Sequence, residues 1–464
     1  MKRLMGIDVG TTSIKTAVFN EKLEMEANAS IDYTLSTHDD IVEFEATQYW
    51  EMIKEALDTL SVPVDALAID TQCETLILTD EAGNPVRKAI VWLDNRATKE
   101  AEQIEAHFGR KQVYEITGQP EITATWPACK LLWVKNNEPE VWAKTKKIFL
   151  LEDYLLFRLT GRFVTEKTLQ SSTIYFDIRN GCWWQEMLDF IGVSPCMLPN
   201  LSDSGVPVGT YRGIQVVTGA MDQVAGAIGA GVTQKGIVSE MTGTTMVIFS
   251  PTDTIPPFAH DSIIPCHYNW DGKYCLLTWS STAGMALKWF KNMLCEAFSF
   301  EDLDKLAEQV PPGSDGLTFL PYLCGSTMPK YNPEARGSFT GLTPEHTRGH
   351  FVRSIMEAIA CTLKENLDYL NLDTKEIRAM GGGANSPLWC QMKADMTGKE
   401  LVTLKNKETA CLGSAILAGV GIGLFPSVAS VTELICEKDR YTPRGVDYSQ
   451  CYENYKKADG QLNV

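Results

Sequence analysis

Residues 5–19, MGIDVGTTSIKTAVF, read as an apolar strand reaching Asp8, a turn at Gly10-Thr11-Thr12, and a second strand from Ile14 to Phe19. Gly10 lets the backbone approach a bulky anion, and two hydroxyls plus the turn amides face the same spot. Asp8 sits at the strand end just before this cradle, where a carboxylate could hold a metal bound to phosphates. Taken alone, the segment is explained equally well as a surface hairpin with a polar turn. An echo decides between the two. Residues 239–250, SEMTGTTMVIFS, repeat the turn as Gly243-Thr244-Thr245, 233 positions later in a chain of 464, again leading into an apolar strand. One strand–turn–strand per half implies two similar domains presenting matched turns to one ligand.

A chain of this length exceeds one ordinary core, which agrees with two large domains. Hydrophobic residues at 44% and charged residues at 22% are those of a globular protein. The net charge of −17 speaks against a nucleic-acid surface, though not against a nucleotide pocket lined by amides. Thirteen scattered cysteines without a C-x-x-C pair indicate neither zinc nor a disulfide framework; they read as reduced, mostly buried thiols of a cytoplasmic protein. Neither a signal peptide nor a membrane span is expected.

Helical spacing marks residues 47–60, 99–108, 130–136, 154–159, 283–297, 347–371 and 387–397; apolar runs mark strands at 23–33, 64–70, 75–79, 215–218, 275–279 and 377–380. Residues 162–211 and the Pro-rich 310–333 read as looser. Two helices, 221–231 and 409–424, consist largely of small residues. No linker separates the halves, so the boundary is placed at a hinge near Gly231.

Three Gly-rich turns follow apolar strands: the two Gly-Thr-Thr turns and Gly381-Gly382-Gly383-Ala384 before a helix. Backbone amides at such turns meet phosphates or a nucleoside. None has the Walker ending, and no G-x-G-x-x-G lies in a βαβ setting, which disfavours a P-loop ATPase and a dinucleotide-binding dehydrogenase. Asp222 opens the small-residue helix, where the dipole is expected to keep it ionised. It reads either as a helix cap or as a base that accepts the proton of an attacking hydroxyl. Gln72 and Glu74 beyond one buried strand, with Trp92 at the end of another, suit a polyhydroxylated ligand, although ordinary loop polarity and a core tryptophan explain them as well.

With these pieces together, the chain resembles the FGGY family of carbohydrate kinases from the first hairpin to about Phe425. Residues 337–357, GSFTGLTPEHTRGHFVRSIME, fit one family signature throughout. Residues 127–136 approach a second, with Thr125 standing where that pattern has an aromatic, Met, Gly or Ser. Residues 380–401 are similar to the family's adenosine-binding turn and helix. The resemblance implies an α/β protein of two ribonuclease H-like domains of the actin and hexokinase type, residues 1–231 and 232–464, with ATP and sugar meeting in an interdomain cleft. It implies Asp222 as catalytic base and Asp8 as the carboxylate organising Mg²⁺. Thr11, Thr12 and Lys15 match the first phosphate turn, and Gly243 and Thr244 the second. Gly284 and Lys288 fall near the nucleotide phosphates, with Gly382, Gly383, Ala384 and Ser386 around the adenosine. Cys73, Glu74, Trp92, Asp222 and Gln223 match sugar- or polyol-contacting positions.

Glycerol kinases of the family have Arg-Glu where this chain has Cys73-Glu74, and xylulokinases have Met-His. Thr125 replaces the Tyr of glycerol kinases, and Trp126 aligns with an aromatic of xylulokinases. Without the arginine's multi-donor fork, the expected acceptor is a ketopentose such as xylulose. Glycerol, a tetritol or another small polyol is the alternative, and a non-catalytic actin-like or sugar-sensing ATPase a further one. The family's frequent dimers leave a homodimer open.

Overall fold

The computed structural model describes residues 2–60, 62–259 and 264–462. They form two compact units. The first comprises residues 1–233, 252–276 and 408–435, and the second residues 234–251, 277–407 and 436–464. Gly231 lies two residues before the first passage of the chain from one unit to the other.

Among the described residues, the first unit is built on a six-stranded sheet in the order Pro207–Tyr211, Ile214–Val217, Ala66–Thr71, Arg3–Val9, Ser13–Asn20, Met25–Asp32. Arg3–Val9 pairs antiparallel with Ser13–Asn20 and parallel with Ala66–Thr71. That register sets Asp8 opposite Lys15 on one side and opposite Asp70 on the other. Ile7, Val9, Ile14, Val18, Leu67 and Ile69 are buried in one core with Tyr49, Trp50 and Ile53 of helix Ala46–Thr59.

The small-residue helices are small for a measurable reason. A Cβ on Gly6 would lie 1.7 Å from the Cys411 carbonyl oxygen, so helix Thr409–Gly421 rests directly on the sheet backbone. A Cβ on Gly413 would lie 1.9 Å from the Ala225 carbonyl oxygen, and one on Gly229 1.8 Å from that of Thr409. Helices Asp222–Gly229 and Thr409–Gly421 therefore pack backbone to backbone.

The second unit repeats the plan. Its strands run in the order Tyr274–Ser280, Met246–Thr252, Ile237–Thr242, Glu376–Met380, Glu400–Leu404, Glu437–Tyr441. The first strand of the repeated hairpin again has its own antiparallel partner on one side and a parallel strand on the other. The signature residues 337–357 enter helix Arg348–Leu370, where Arg353 and Glu357 are both buried and paired at 2.7 Å. Arg353 also donates to the carbonyls of Ala307 and Val310, and Glu357 accepts from the Gly313 amide and the Ser314 hydroxyl. The signature thus ties a loop to a helix through buried charge.

Several elements go beyond the sequence expectation. Helix Phe300–Glu308 and helix Ser449–Leu462 fall where no helix is expected, and residues 162–211 hold short strands and a helix, Gln185–Ile191. No described helix is long and apolar enough to cross a membrane. No disulfide joins the thirteen cysteines among the described residues, and seven of them are buried.

Candidate active site

In the first unit, carboxyl groups gather at the ends of the central strands. Asp8 is half-buried, and burial pushes its pKa up to about 6 against the pull of Lys15. Asp70, beside it, is fully buried and raised further, first by burial and then by Asp8. Its Oδ2 accepts from the Ser414 hydroxyl at 2.6 Å, while its buried Oδ1 meets no donor. Asp222 is the first residue of its helix, and Met221 occupies the cap position. Burial and the Asp8 charge push Asp222 up to about 7. This corrects two expectations: Asp222 is not a cap, and desolvation outweighs the helix dipole that would keep it ionised. Its Oδ1 accepts from the amide of Gln223 at 2.7 Å, so both residues stand at the helix start.

The expected acceptor wall lies in the same unit. Glu74 adopts a left-handed backbone, φ 56°, unusual for a residue with a side chain. The Nζ of the fully buried Lys130 donates to the carbonyls of Val91 at 2.9 Å, Glu74 at 3.3 Å and Trp92 at 3.4 Å, which fixes both wall segments to one ammonium. Burial drives Glu74 up and Lys130 down, each held back by the other's charge, and Asp222 pushes Glu74 further up. Burial and the charges of Glu74 and Asp222 raise the Cys73 thiol well above its ordinary value, so it is a thiol and not a thiolate. Thr125, the departure from the family pattern, donates its hydroxyl to the Trp92 carbonyl at 3.0 Å.

The first Gly-Thr-Thr turn is joined to that wall. The indole N–H of Trp92 donates to the Thr11 hydroxyl at 3.0 Å. Thr12 is exposed, its carbonyl accepting from the Tyr33 amide at 2.9 Å. Lys15 is engaged with Glu408 at 3.0 Å.

The second unit holds a cavity of about 630 Å³. Its walls include Gly243, Thr244, Gly284, Lys288, Gly382, Gly383 and Ser386, residues that the resemblance assigns to the nucleotide, and Ala384 lies within the same turn, Gly382–Asn385. The amides of Ala283 and Gly284 donate to the carbonyls of Thr244 and Gly243, so helix Gly284–Leu294 starts directly on the second Gly-Thr-Thr turn. Lys288 is exposed one helical turn on, over the same face. Beneath the Gly-rich turn, buried Lys393 bonds Glu240 at 2.9 Å and Thr242 at 2.7 Å, and a Cβ on Gly383 would lie 2.7 Å from Thr242. Sequence reasoning misses Phe300, Glu301, Asp304 and Trp389, which complete the walls. Asp304, raised by burial, hydrogen-bonds Ser386. The cavity has two chemistries: glycine turns and a lysine suited to phosphates, and an aromatic with carboxylate and hydroxyl groups suited to a nucleoside.

Oxygen donors at Asp8 and Asp70 fit a hard divalent cation, whose charge would relieve two juxtaposed carboxyls. No group of three His, Cys, Asp or Glu side chains that could hold a metal ion occurs among the described residues.

Known proteins bear on these two sites. Residues 3–231 match the model of the N-terminal domain of the FGGY family of carbohydrate kinases, and residues 242–422 that of its C-terminal domain. The chain is 29% identical to a xylulose kinase of Lactococcus lactis, over 99% of this chain and 96% of that protein. It is 28% identical to a gluconokinase of Bacillus subtilis, over 95% and 91%. The ligand-bound xylulose kinase structure from Lactobacillus acidophilus superposes with a TM-score of 0.91 at 25% identity, covering 100% of this chain and 99% of that one. The chain belongs to the FGGY family of carbohydrate kinases, two-domain α/β phosphotransferases.

Proposed function

We propose that this kinase transfers the γ-phosphoryl group of Mg·ATP to a hydroxyl of a ketopentose such as xylulose, with Asp222 as general base. The observation that carries the reading is Asp222 itself: half-buried at a helix start, raised by the charge of Asp8 and in turn raising Glu74, and tuned to about 7, where a carboxyl can take a proton at neutral pH. Asp222 removes the proton as the substrate oxygen bonds the γ-phosphorus. The bond to the bridging oxygen breaks, ADP departs, and Asp222 returns the proton to solvent. Cys73, Glu74, Trp92 and Gln223 orient the acceptor. Gly243, Thr244, Gly284 and Lys288 hold the phosphates, while Gly382, Gly383, Ala384 and Ser386 hold the nucleoside. Asp8 would hold Mg²⁺, which when bound neutralises phosphate charge. The residue assignments divide the labour between an acceptor-binding domain, residues 1–231, and a nucleotide-binding domain, residues 232–464. The thirteen scattered cysteines, with no C-x-x-C pair, support a cytoplasmic location.

Glu74 favours one second reading, a small polyol such as glycerol or a tetritol, because it is the residue shared with glycerol kinases. Phosphorylation assays over pentuloses, hexuloses, sugar acids and polyols separate the two: turnover confined to polyols overturns the ketopentose assignment. Asp222→Asn should lower kcat at least about 10²-fold while ATP affinity stays within a few-fold. An unchanged kcat would remove Asp222 from the chemistry.

A further inference from the structure

Asp222 is delivered by residues 218–221, between strand Ile214–Val217 and helix Asp222–Gly229. Two buried side chains hold this short connection from one side. Glu152 Oε1 accepts from the Gly219 amide at 2.9 Å, and Thr168 Oγ1 accepts from the Met221 amide at 2.9 Å. The Thr168 hydroxyl can accept there because its own proton is committed: it donates to Glu166 Oε1 at 2.8 Å. Glu166 is in turn fixed by the Thr168 amide at 2.6 Å and the Ser204 hydroxyl at 3.1 Å. From the other side strand Ala66–Thr71 closes in. A Cβ on Gly219 would lie 1.9 Å from the Ile69 carbonyl oxygen, and Met221 forms a parallel bridge with Thr71.

This arrangement is expensive. Glu152 and Glu166 are both fully buried, they repel each other, and Glu152 Oε2 meets no hydrogen-bond donor. An apolar side chain would fill the space at lower desolvation cost but would offer the two backbone amides no acceptor path. What the carboxyls supply instead is direction: each ends a hydrogen-bond path on a backbone amide within three residues of Asp222. We infer that Thr168 and Glu152 are positioning residues that fix the backbone carrying the base, with Glu166 orienting the Thr168 hydroxyl.

The inference rests on Asp222 being the base, and its test keeps the two apart. Steady-state kinetics of the full-length enzyme with its best acceptor compare Asp222→Asn, Thr168→Val, Thr168→Ser and Glu152→Gln. Thr168→Val should lower kcat on the order of 10²-fold with both KM values little changed, and Thr168→Ser should restore it. Glu152→Gln keeps an acceptor oxygen for Gly219 and should retain most of kcat. A Thr168→Val enzyme with near-normal kcat, or one whose loss lies equally in KM, overturns the positioning role while an inactive Asp222→Asn leaves the base in place. A fully active Asp222→Asn removes the base, and the inference with it. Hydrogen exchange on the unmodified enzyme needs no variant: the Gly219 and Met221 amides should exchange as slowly as those of Ala66–Thr71, and fast exchange at either overturns the clamp.

Discussion

The indole N–H of Trp92 donates to the hydroxyl of Thr11 at 3.0 Å, so the aromatic wall assigned to the acceptor and the first Gly-Thr-Thr turn are one hydrogen-bonded piece. The two were separate motifs in the sequence, 81 residues apart. Trp92→Phe keeps an aromatic face, though a smaller one, and deletes the donor; Thr11→Val deletes the acceptor. Each should reduce kcat/KM by roughly 3- to 10-fold, the size of one net hydrogen bond. A double-mutant cycle should show the pair's effects to be non-additive. Simple additivity would mean that the bond does not link acceptor and phosphate binding.

Asp8 is assigned to the metal and Asp222 to the proton, although both are half-buried carboxyls raised by burial. Asp8→Asn should therefore raise the Mg²⁺ and ATP concentrations needed for half-maximal rate by at least about 10-fold and leave acceptor affinity close to normal. Titrating rate against each of the three ligands checks this. A defect confined to acceptor KM would contradict the division of roles.

Phe300 is half-exposed in the wall of the second unit's cavity, where Asp304 and Ser386 also point to the nucleoside end. Loss of a stacking ring costs on the order of 1–2 kcal/mol, so Phe300→Ala should weaken ATP binding about 5- to 30-fold with kcat nearly unchanged. Calorimetric titration with ATP and ADP measures it. Equal affinities for wild type and variant would put the base elsewhere.

Much of this molecule was legible because its signals are local. The hairpins announce themselves by alternating apolar residues around Gly-Thr-Thr, and helix Pro387–Thr397 by its proline start and glycine end. Other features have no local signal. Helix Phe300–Glu308 is an exception: a Ser299–Asp302 capping box and apolar residues at Phe300, Leu303 and Ala307 mark it, but over only nine residues. Lys130 sits in a stretch that reads as an ordinary amphipathic helix; that its ammonium gathers three carbonyls depends on strands and loops up to 56 residues away. Thr168 is one threonine among many, and its role depends on a Met221 amide 53 residues distant. The ionisation of Asp222 was misread for the same reason. The dipole is visible in sequence, but burial and the neighbouring Asp8 are not.

Gly6 supplies a stability test of the helix–sheet contact. Its Cβ position is 1.7 Å from the Cys411 carbonyl oxygen, a backbone atom on a buried helix that cannot step aside. Gly6→Ala must push helix Thr409–Gly421 off the sheet and should destabilise the protein by about 3 kcal/mol or more. Chemical denaturation of wild type and variant reads the difference; a change under about 1 kcal/mol would show that the helix moves freely.

His267 gives a prediction with a definite sign. It is buried, with Nδ1 3.2 Å from the Ser171 hydroxyl and 3.4 Å from the Gln119 amide nitrogen, and burial alone lowers its pKa from 6.5 to about 4. Between those two values the unfolded chain binds a proton that the folded chain refuses. Folding stability from this residue is therefore complete above pH 6.5 and falls as the pH is lowered toward 4, where the loss levels off. At about 1.4 kcal/mol per pKa unit the loss is on the order of 3 kcal/mol. The buried carboxyls respond in the opposite sense, since their raised values favour the folded state at low pH. The comparison must therefore be between wild type and His267→Gln rather than between two pH values of wild type. Denaturation midpoints measured from pH 7.5 to about 4 should fall more steeply for wild type than for the variant. Parallel curves would mean that His267 takes up its proton in the folded state as readily as in the unfolded one.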